Sequence, residues 1–325
     1  MEKNLADITQ CLSKELSSFE NLFKDCFHSG NALLDSVLSY TSSLKGKRIR
    51  PILTFLTAEI FGKITERTFR SAVIIELLHT ASLLHDDVID NSRKRRNNST
   101  VNALFGDRIA ILAGDFLYGK ALAAINTKED FMLMDVFSKI AMLLPQGEVQ
   151  ETDVTNSRDL SEESYVNVIY NKTASLISAA VECGASTCMN PNVDINQLAE
   201  FGKNIGMAFQ IKDDILDYDF ADTVGKGTGN DIREKKITLP FIYCLQTLNE
   251  DKRNSALDLF FKDNKTDGEV QHLIRLVQDS GAVERTDKIQ KDYSCKALKA
   301  VDNMPLNDYS VCLRELVQYL IIRNK

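Results

Sequence analysis

Residues that break helices are scarce in this chain. Its 15 glycines and 5 prolines in 325 residues lie below average usage for both, which argues against turn-rich sandwiches and barrels and against a Rossmann-type α/β fold. Runs of alternating apolar and polar residues are also missing, so nothing reads as a convincing strand. Positive charge is not in excess: 39 Lys and Arg against 46 Asp and Glu give a formal charge of −7. That balance speaks against general nucleic-acid binding and leaves any local basic cluster to a specific anionic target. No CxxC pair occurs among the seven cysteines (Cys11, Cys26, Cys183, Cys188, Cys244, Cys295 and Cys312), and the N-terminus MEKNLADITQ carries no signal-peptide pattern. The expectation is reduced thiols in a cytoplasmic protein. Long apolar runs are absent as well, because Glu76, Asp115 and Lys120 interrupt the most apolar stretches within a few turns; no segment is expected to span a bilayer.

What is present is helical periodicity from one end to the other. Breaks fall at 29–31, around 62, and at 97–99, 125–130, 189–192, 219–231 and 262–268. With 44% hydrophobic residues the chain can bury a large core. Two segments are apolar on most faces and should be central helices: 68–90, TFRSAVIIELLHTASLLHDDVID, and 198–217, LAEFGKNIGMAFQIKDDILD. In the second, Gly202 and Gly206 stand one turn apart and could permit close helix packing. The expected fold class is all-α: a single domain over 1–325, built as a bundle of long helices around a deep central cavity.

Both central segments end in the same acidic pattern, Asp-Asp-x-x-Asp, as DDVID at 86–90 and DDILD at 213–217. At about 100° per residue on a helix, the first and last aspartates stack one turn apart. Each motif should therefore offer two outward carboxylates on one stripe, Asp86 with Asp90 and Asp213 with Asp217, and a third alongside. Like charges at this spacing destabilise a helix, and ionised carboxylates are rarely buried unless paired or bound to metal. A cation removes that cost. Oxygen-only ligands suit Mg²⁺, which binds through one or two carboxylates plus substrate phosphates, and no Cys or His spacing points to zinc. His79 precedes Asp86 by two turns and lies on the same stripe, whereas His85 points off it.

Basic clusters able to bind phosphate surround these acids in the sequence: LKGKRIRP at 44–51, RKRR at 93–96, NKTA at 171–174 and GKGTGNDIREKKITLP at 225–240. Arg supplies bidentate donors for phosphate and Lys a point charge, and their number matches more than one diphosphate. In this order, with ELLHTASLLHDDVID, NALFGDRIAILAGD and FQIKDDILD, the motifs resemble those of the trans-polyprenyl diphosphate synthases over about residues 44 to 243. Three loop positions depart from that pattern: Lys45, Asn97 and Lys235 stand where the family usually has glycine.

The resemblance implies several Mg²⁺ ions per active site, with Asp86, Asp90 and Asp213 as metal ligands. Asp86, Asp87, Asp90, Asp213, Asp214 and Asp217 together match the acidic set facing an allylic diphosphate. Lys47, Arg50, His79 and Arg96 match the positions that hold isopentenyl diphosphate; Arg95, Lys172, Thr173, Gln210, Lys226 and Lys236 match those that contact the allylic diphosphate. Lys172 and Lys226 would stabilise the leaving group. The resemblance also implies a homodimer, with no nucleic-acid partner. A terpene cyclase is the first rival, but it would not need the GKRIRP and RR clusters. A catalytically silent subunit of a heteromeric synthase is the second, and both aspartate triads are intact here. For product length, Ala81 and Ser82, five and four places before the first motif, are both small. That favours a medium or long product over a short one of farnesyl or geranylgeranyl size, with Phe131, Met134 and Phe137 as candidates for a deeper cavity floor.

Overall fold

A computed structural model of the chain describes residues 4–44, 46–95, 98–125, 130–219 and 228–322. Helices follow one another almost without interruption. The first part carries α1 (Leu5–Ile8), α2 (Ser13–Asp25), α3 (Ala32–Ser43), α4 (Ile49–Phe61), α5 (Glu66–Ile89), α6 (Val101–Phe105), α7 (Asp107–Ile125) and α8 (Phe131–Ser157). Then come α9 (Glu162–Ile169), α10 (Ser175–Thr187), α11 (Ile195–Leu216), α12 (Asn230–Arg233) and α13 (Leu239–Thr247). The chain closes with α14 (Glu250–Phe261), α15 (Asp267–Asp279), α16 (Ala282–Asp302) and α17 (Asp308–Ile322). Against the expectation of no strands, a short antiparallel ribbon pairs Lys94–Arg95 with Asn98–Ser99. It is too small to alter the all-α class.

The two apolar segments form the central helices α5 and α11. Thr65 starts α5 with a capping box shared with Thr68, and Asp194 caps α11; both supply the side-chain oxygen that an unsatisfied first turn needs. From Thr68 to Leu84, α5 is buried on nearly every face because α4, α7 and α10 surround it. Helix α11 packs along α10 and α16. Gly202 and Gly206 permit the approach to α10: a Cβ there would lie 2.7 Å from Ser178 Cα and 2.4 Å from Ala174 Cα. A second, smaller apolar core gathers α13, α14 and α15 against the C-terminal end of α11, around Phe241, Phe260 and Tyr218.

The segment read as a helix over 130–144 continues through Pro145 to Ser157. That extension matters, because it carries two glutamates into the site.

Candidate active site

A cavity of about 900 Å³ opens among the ends of α4, α5, α8, α10 and α11. Asp86 of α5 and Asp213 of α11 line it from two different helices. So do Lys47 and Arg50 from the turn into α4, Ser82 and His79 one and two turns back along α5, Arg95, and Lys172, Thr173 and Gln210. A smaller cavity of about 210 Å³ adjoins it; Lys172, Thr173 and Gln210 line both, and Asp214, Asp231 and Lys236 line only the smaller. Lys226 and Arg96 lie outside the described residues.

The two motifs use their aspartates unequally. The middle residue of each turns inward. Asp87 accepts from Arg95 Nε at 2.9 Å, and Asp214, 4% exposed, accepts from Tyr165 Oη at 2.6 Å and Gln210 Nε2 at 2.9 Å. Gln210 in turn accepts from Thr173 Oγ1 at 2.8 Å. The expected outward pair on α11 is not found: Asp217 turns back to accept the backbone N–H groups of Gly229, Asn230 and Asp231 at 3.0, 3.1 and 3.0 Å. It orders the start of α12 in the way a capping carboxylate does. Asp86 and Asp213 line the cavity, and Asp90 closes α5 one turn beyond Asp86.

Lys172 is held by two acids that spacing did not reveal. Lys172 sits in a π-helical turn, Tyr170–Ala174, between α9 and α10. Its Nζ is 2.9 Å from Glu148 and 2.7 Å from Glu151, one turn apart on α8. Gly147 allows that approach, since a Cβ there would meet Lys172 Cγ at 2.7 Å. Lys236 pairs with Asp90 at 3.0 Å and Glu234 at 2.7 Å. Burial works against its charge, but Glu151, Glu234 and Asp90 outweigh that and hold its pKa up. The segment GEVQE at 147–151 carried the missed signal: two glutamates one turn apart beside a glycine. Lys235, where the family usually has glycine, has φ +59°, a left-handed conformation that glycine adopts freely.

Burial pushes Asp86 up to about 7, with Glu148 adding to the shift and Lys172 and Arg95 opposing it. Burial likewise raises Asp214 to about 7, against the bonds from Tyr165 and Gln210. Carboxylates crowded in this way favour a neutralising cation. Among the described residues no three Asp, Glu, His or Cys side chains form a ready-made metal centre. The acids nearest the cavity offer oxygen donors alone, which suits a hard cation such as Mg²⁺.

Part of the remaining cavity wall is apolar, with Leu144, Ile177, Phe209 and Leu320 contributing. Ser82 belongs to that wall, whereas Ala81 is fully buried in the main core. Phe131 cannot be a floor, because it is 81% exposed at the first turn of α8; Met134 and Phe137 pack against the main core. His85 also reaches the cavity edge, with its ring against Tyr118 and Nε2 3.1 Å from the Ile111 carbonyl.

Comparison with known proteins gives a consistent picture. The chain is 33% identical over 321 residues to the all-trans-nonaprenyl-diphosphate synthase (geranyl-diphosphate specific) of Rhodobacter capsulatus, covering 98% of this chain and 97% of that one. It is 30% identical over 327 residues to the octaprenyl diphosphate synthase of Escherichia coli, covering 99% and 100%. The crystal structure of a decaprenyl diphosphate synthase from Rhodobacter capsulatus superposes with a TM-score of 0.92 at 30% identity, over 99% and 100% of the two chains. Residues 31–277 match the polyprenyl synthetase family model. With its helical cavity and twin aspartate motifs, the chain belongs to the polyprenyl synthetase family, a family of prenyltransferases.

Proposed function

We propose that the chain lengthens an allylic diphosphate by head-to-tail addition of isopentenyl units, giving a trans-polyprenyl diphosphate of medium or long chain. The observation that carries this reading is the pairing of Asp86 and Asp213 on the wall of one large cavity whose remaining surface is partly apolar. Charge is handled at the acidic end and hydrocarbon in the body.

In this reading Lys47, Arg50 and His79 hold isopentenyl diphosphate, while Arg95, Lys172, Thr173, Gln210 and Lys236 address the allylic diphosphate. Asp86, Asp90 and Asp213 would hold Mg²⁺, which when bound supplies positive charge to the diphosphate oxygens. The allylic carbon–oxygen bond breaks and diphosphate departs with the electron pair. The isopentenyl double bond then attacks the allylic carbon, and a proton lost from the adduct restores a double bond. Lys172 meets charge that grows as the bond breaks, so it stabilises the transition state more than the ground state. Asp87, Asp214 and Asp217 act one step back. Each is held by its own partners and fixes the helix end that presents the outward acids. No side chain is assigned as a base; the released diphosphate takes the proton.

A homodimer belongs to the same reading. Ile111, Leu112 and Leu122 are exposed on α7, a helix otherwise packed on α5, and a second copy would cover them. No helix among the described residues is long and apolar enough to cross a membrane.

The test is to incubate the purified chain with isopentenyl diphosphate, Mg²⁺ and farnesyl or geranylgeranyl diphosphate, then chromatograph the dephosphorylated alcohols. Chelation should abolish product. Asp86→Ala and Asp213→Ala should each lower kcat by about 10²-fold or more, the scale of lost transition-state charge stabilisation, with helical content unchanged. Near-normal turnover in either variant sinks the assignment, and no turnover by the chain alone would favour the silent-subunit reading.

A further inference from the structure

The turn into α4 carries three cations in four residues, Lys47, Arg48 and Arg50. Arg48 has no part in the reaction as described above, yet it is heavily constrained. Its backbone is left-handed, with φ 53° and ψ 33°, a region that penalises any residue with a Cβ. Such an outlier persists where its surroundings over-determine it, and outliers of this kind gather at ligand clamps.

The surroundings do over-determine it. Arg48 Nε donates to Glu20 Oε1 at 2.7 Å and Nη1 donates to Glu76 Oε1 at 2.9 Å. The guanidinium lies 4.6 Å over the ring of Phe23. Glu20 and Phe23 are on α2, outside the 31–277 segment that matches the family model. Glu76 is on α5, 3% exposed and three residues before His79, and its Oε2 has no hydrogen-bond partner. A half-satisfied buried carboxylate is a costly way to stabilise a helix bundle, and apolar side chains would serve better. Packing does not require it here either, because Phe19 of α2 already meets Phe55 of α4 edge-on with ring centroids 6.2 Å apart. What the ion pairs add is a fixed shape for the turn from which Lys47 and Arg50 reach the cavity, beside His79.

We propose that Arg48 and Glu20 are positioning residues, and that α2 is a strut of the isopentenyl diphosphate subsite. Arg48 takes no diphosphate itself, since its guanidinium is committed to two carboxylates and a ring. It holds the turn in the left-handed shape that aims Lys47 and Arg50, together with His79, at one anion. The proposal rests on the assignment of those three residues to isopentenyl diphosphate.

Steady-state kinetics of Lys47→Ala, Arg48→Gly, Arg48→Lys and Glu20→Gln, with melting temperatures, test it. Glycine is at ease with positive φ, but Arg48→Gly leaves Glu76 buried without its cation, so the melting temperature should fall; assayed below that melt, the variant stays folded. KM for isopentenyl diphosphate should nevertheless rise about 10- to 100-fold, the range that small misplacements of binding groups produce, while KM for the allylic substrate stays near its parent value. Glu20→Gln should shift the same constant in the same direction by less. Arg48→Lys should be only partly active, because a point charge cannot span both carboxylates. An unchanged isopentenyl KM in both Arg48→Gly and Glu20→Gln overturns the proposal, as does an equal rise for both substrates. If Arg48→Gly fails to fold, Glu20→Gln decides. An unchanged isopentenyl KM in Lys47→Ala would instead remove the subsite assignment on which the proposal stands.

Discussion

Lys236 Nζ lies 3.0 Å from Asp90 Oδ2, so the last acid of the first motif is tied to a residue 146 positions further along the chain. Glu234 flanks the same ammonium at 2.7 Å. In the proposed function a cation meant for diphosphate is thus neutralised by an acid meant for metal, and the two roles would compete. Removing Lys236 should separate the two demands. In Lys236→Gln, KM for the allylic diphosphate should rise about tenfold, on the scale of a lost charge-assisted contact. Mn²⁺ bound to the substrate-free chain, followed by electron paramagnetic resonance, should bind no more weakly than in the parent. Weaker Mn²⁺ binding would show that Lys236 supports the metal site rather than competing for it.

Ser82 stands one turn below Asp86 and lines the cavity, whereas Ala81 beside it has no exposed surface. Bulk at 82 enters open space; bulk at 81 must displace packed core, which costs about 1–3 kcal/mol or more. Ser82→Phe should therefore shorten the product by one or more isopentenyl units with little loss of stability. Ala81→Tyr should lower the melting temperature. Chromatography of the product alcohols and a thermal melt check both, and an unchanged product length in Ser82→Phe would show that the tail leaves by another wall.

The approach of α10 to α11 depends on Gly206, where a Cβ would lie 2.4 Å from Ala174 Cα. The obstacle is backbone, so it cannot step aside by changing rotamer. Gly206→Ala should destabilise the fold by about 1–3 kcal/mol, as overpacking does. It should also weaken allylic diphosphate binding, because Ala174 ends the π turn that carries Lys172 and Thr173. A denaturant titration together with KM measurement tests both effects.

Lys265 provides a pH-dependent test far from catalysis. Burial, with help from Lys235 and Arg233, lowers its pKa from 10.5 to about 8, and its Nζ has no hydrogen-bond partner. Between these two values the unfolded chain binds more protons than the folded one, so stability from this group rises with pH across that window. Below about pH 8 the full penalty of the buried charge is present. Lys265→Met should raise the melting temperature at pH 7, and its advantage should shrink progressively between about pH 8 and 10.5. A constant advantage across that range would assign the effect to packing instead.

Much of this architecture was legible in the sequence. Stretches apolar all round could only be enclosed helices, and 68–90 and 198–217 became α5 and α11 within a few residues. Gly202 and Gly206 at helical spacing pointed to the close contact with α10. Helical spacing fixes which side chains share a stripe, but it does not say which neighbouring element faces that stripe. Asp213 and Asp217 are one turn apart, yet the backbone of 229–231 captures Asp217. The spacing of Glu148 and Glu151 alone does not set them apart from an ordinary solvated helix face; their partner Lys172 comes from another element. Phe131 is a candidate cavity floor by its apolar bulk, although the N-terminal turn of α8 leaves it in solvent. For Asp217 and for the two glutamates, the deciding partner lies outside the helix that carries them.

The π turn at Tyr170–Ala174 has the effect of a phase shifter. Tyr165 meets Asp214 and Ala174 lies against Gly206, so nine residues on one helix are matched by eight on the other. A wider turn absorbs the surplus residue. Deleting one residue there would leave a regular helix but rotate everything before it by about 100°. Tyr165 would swing away from Asp214 while the seam from Ala174 to Ser178 stayed closed. A helix that looks continuous thus runs on two angular settings, one for packing and one for the acids.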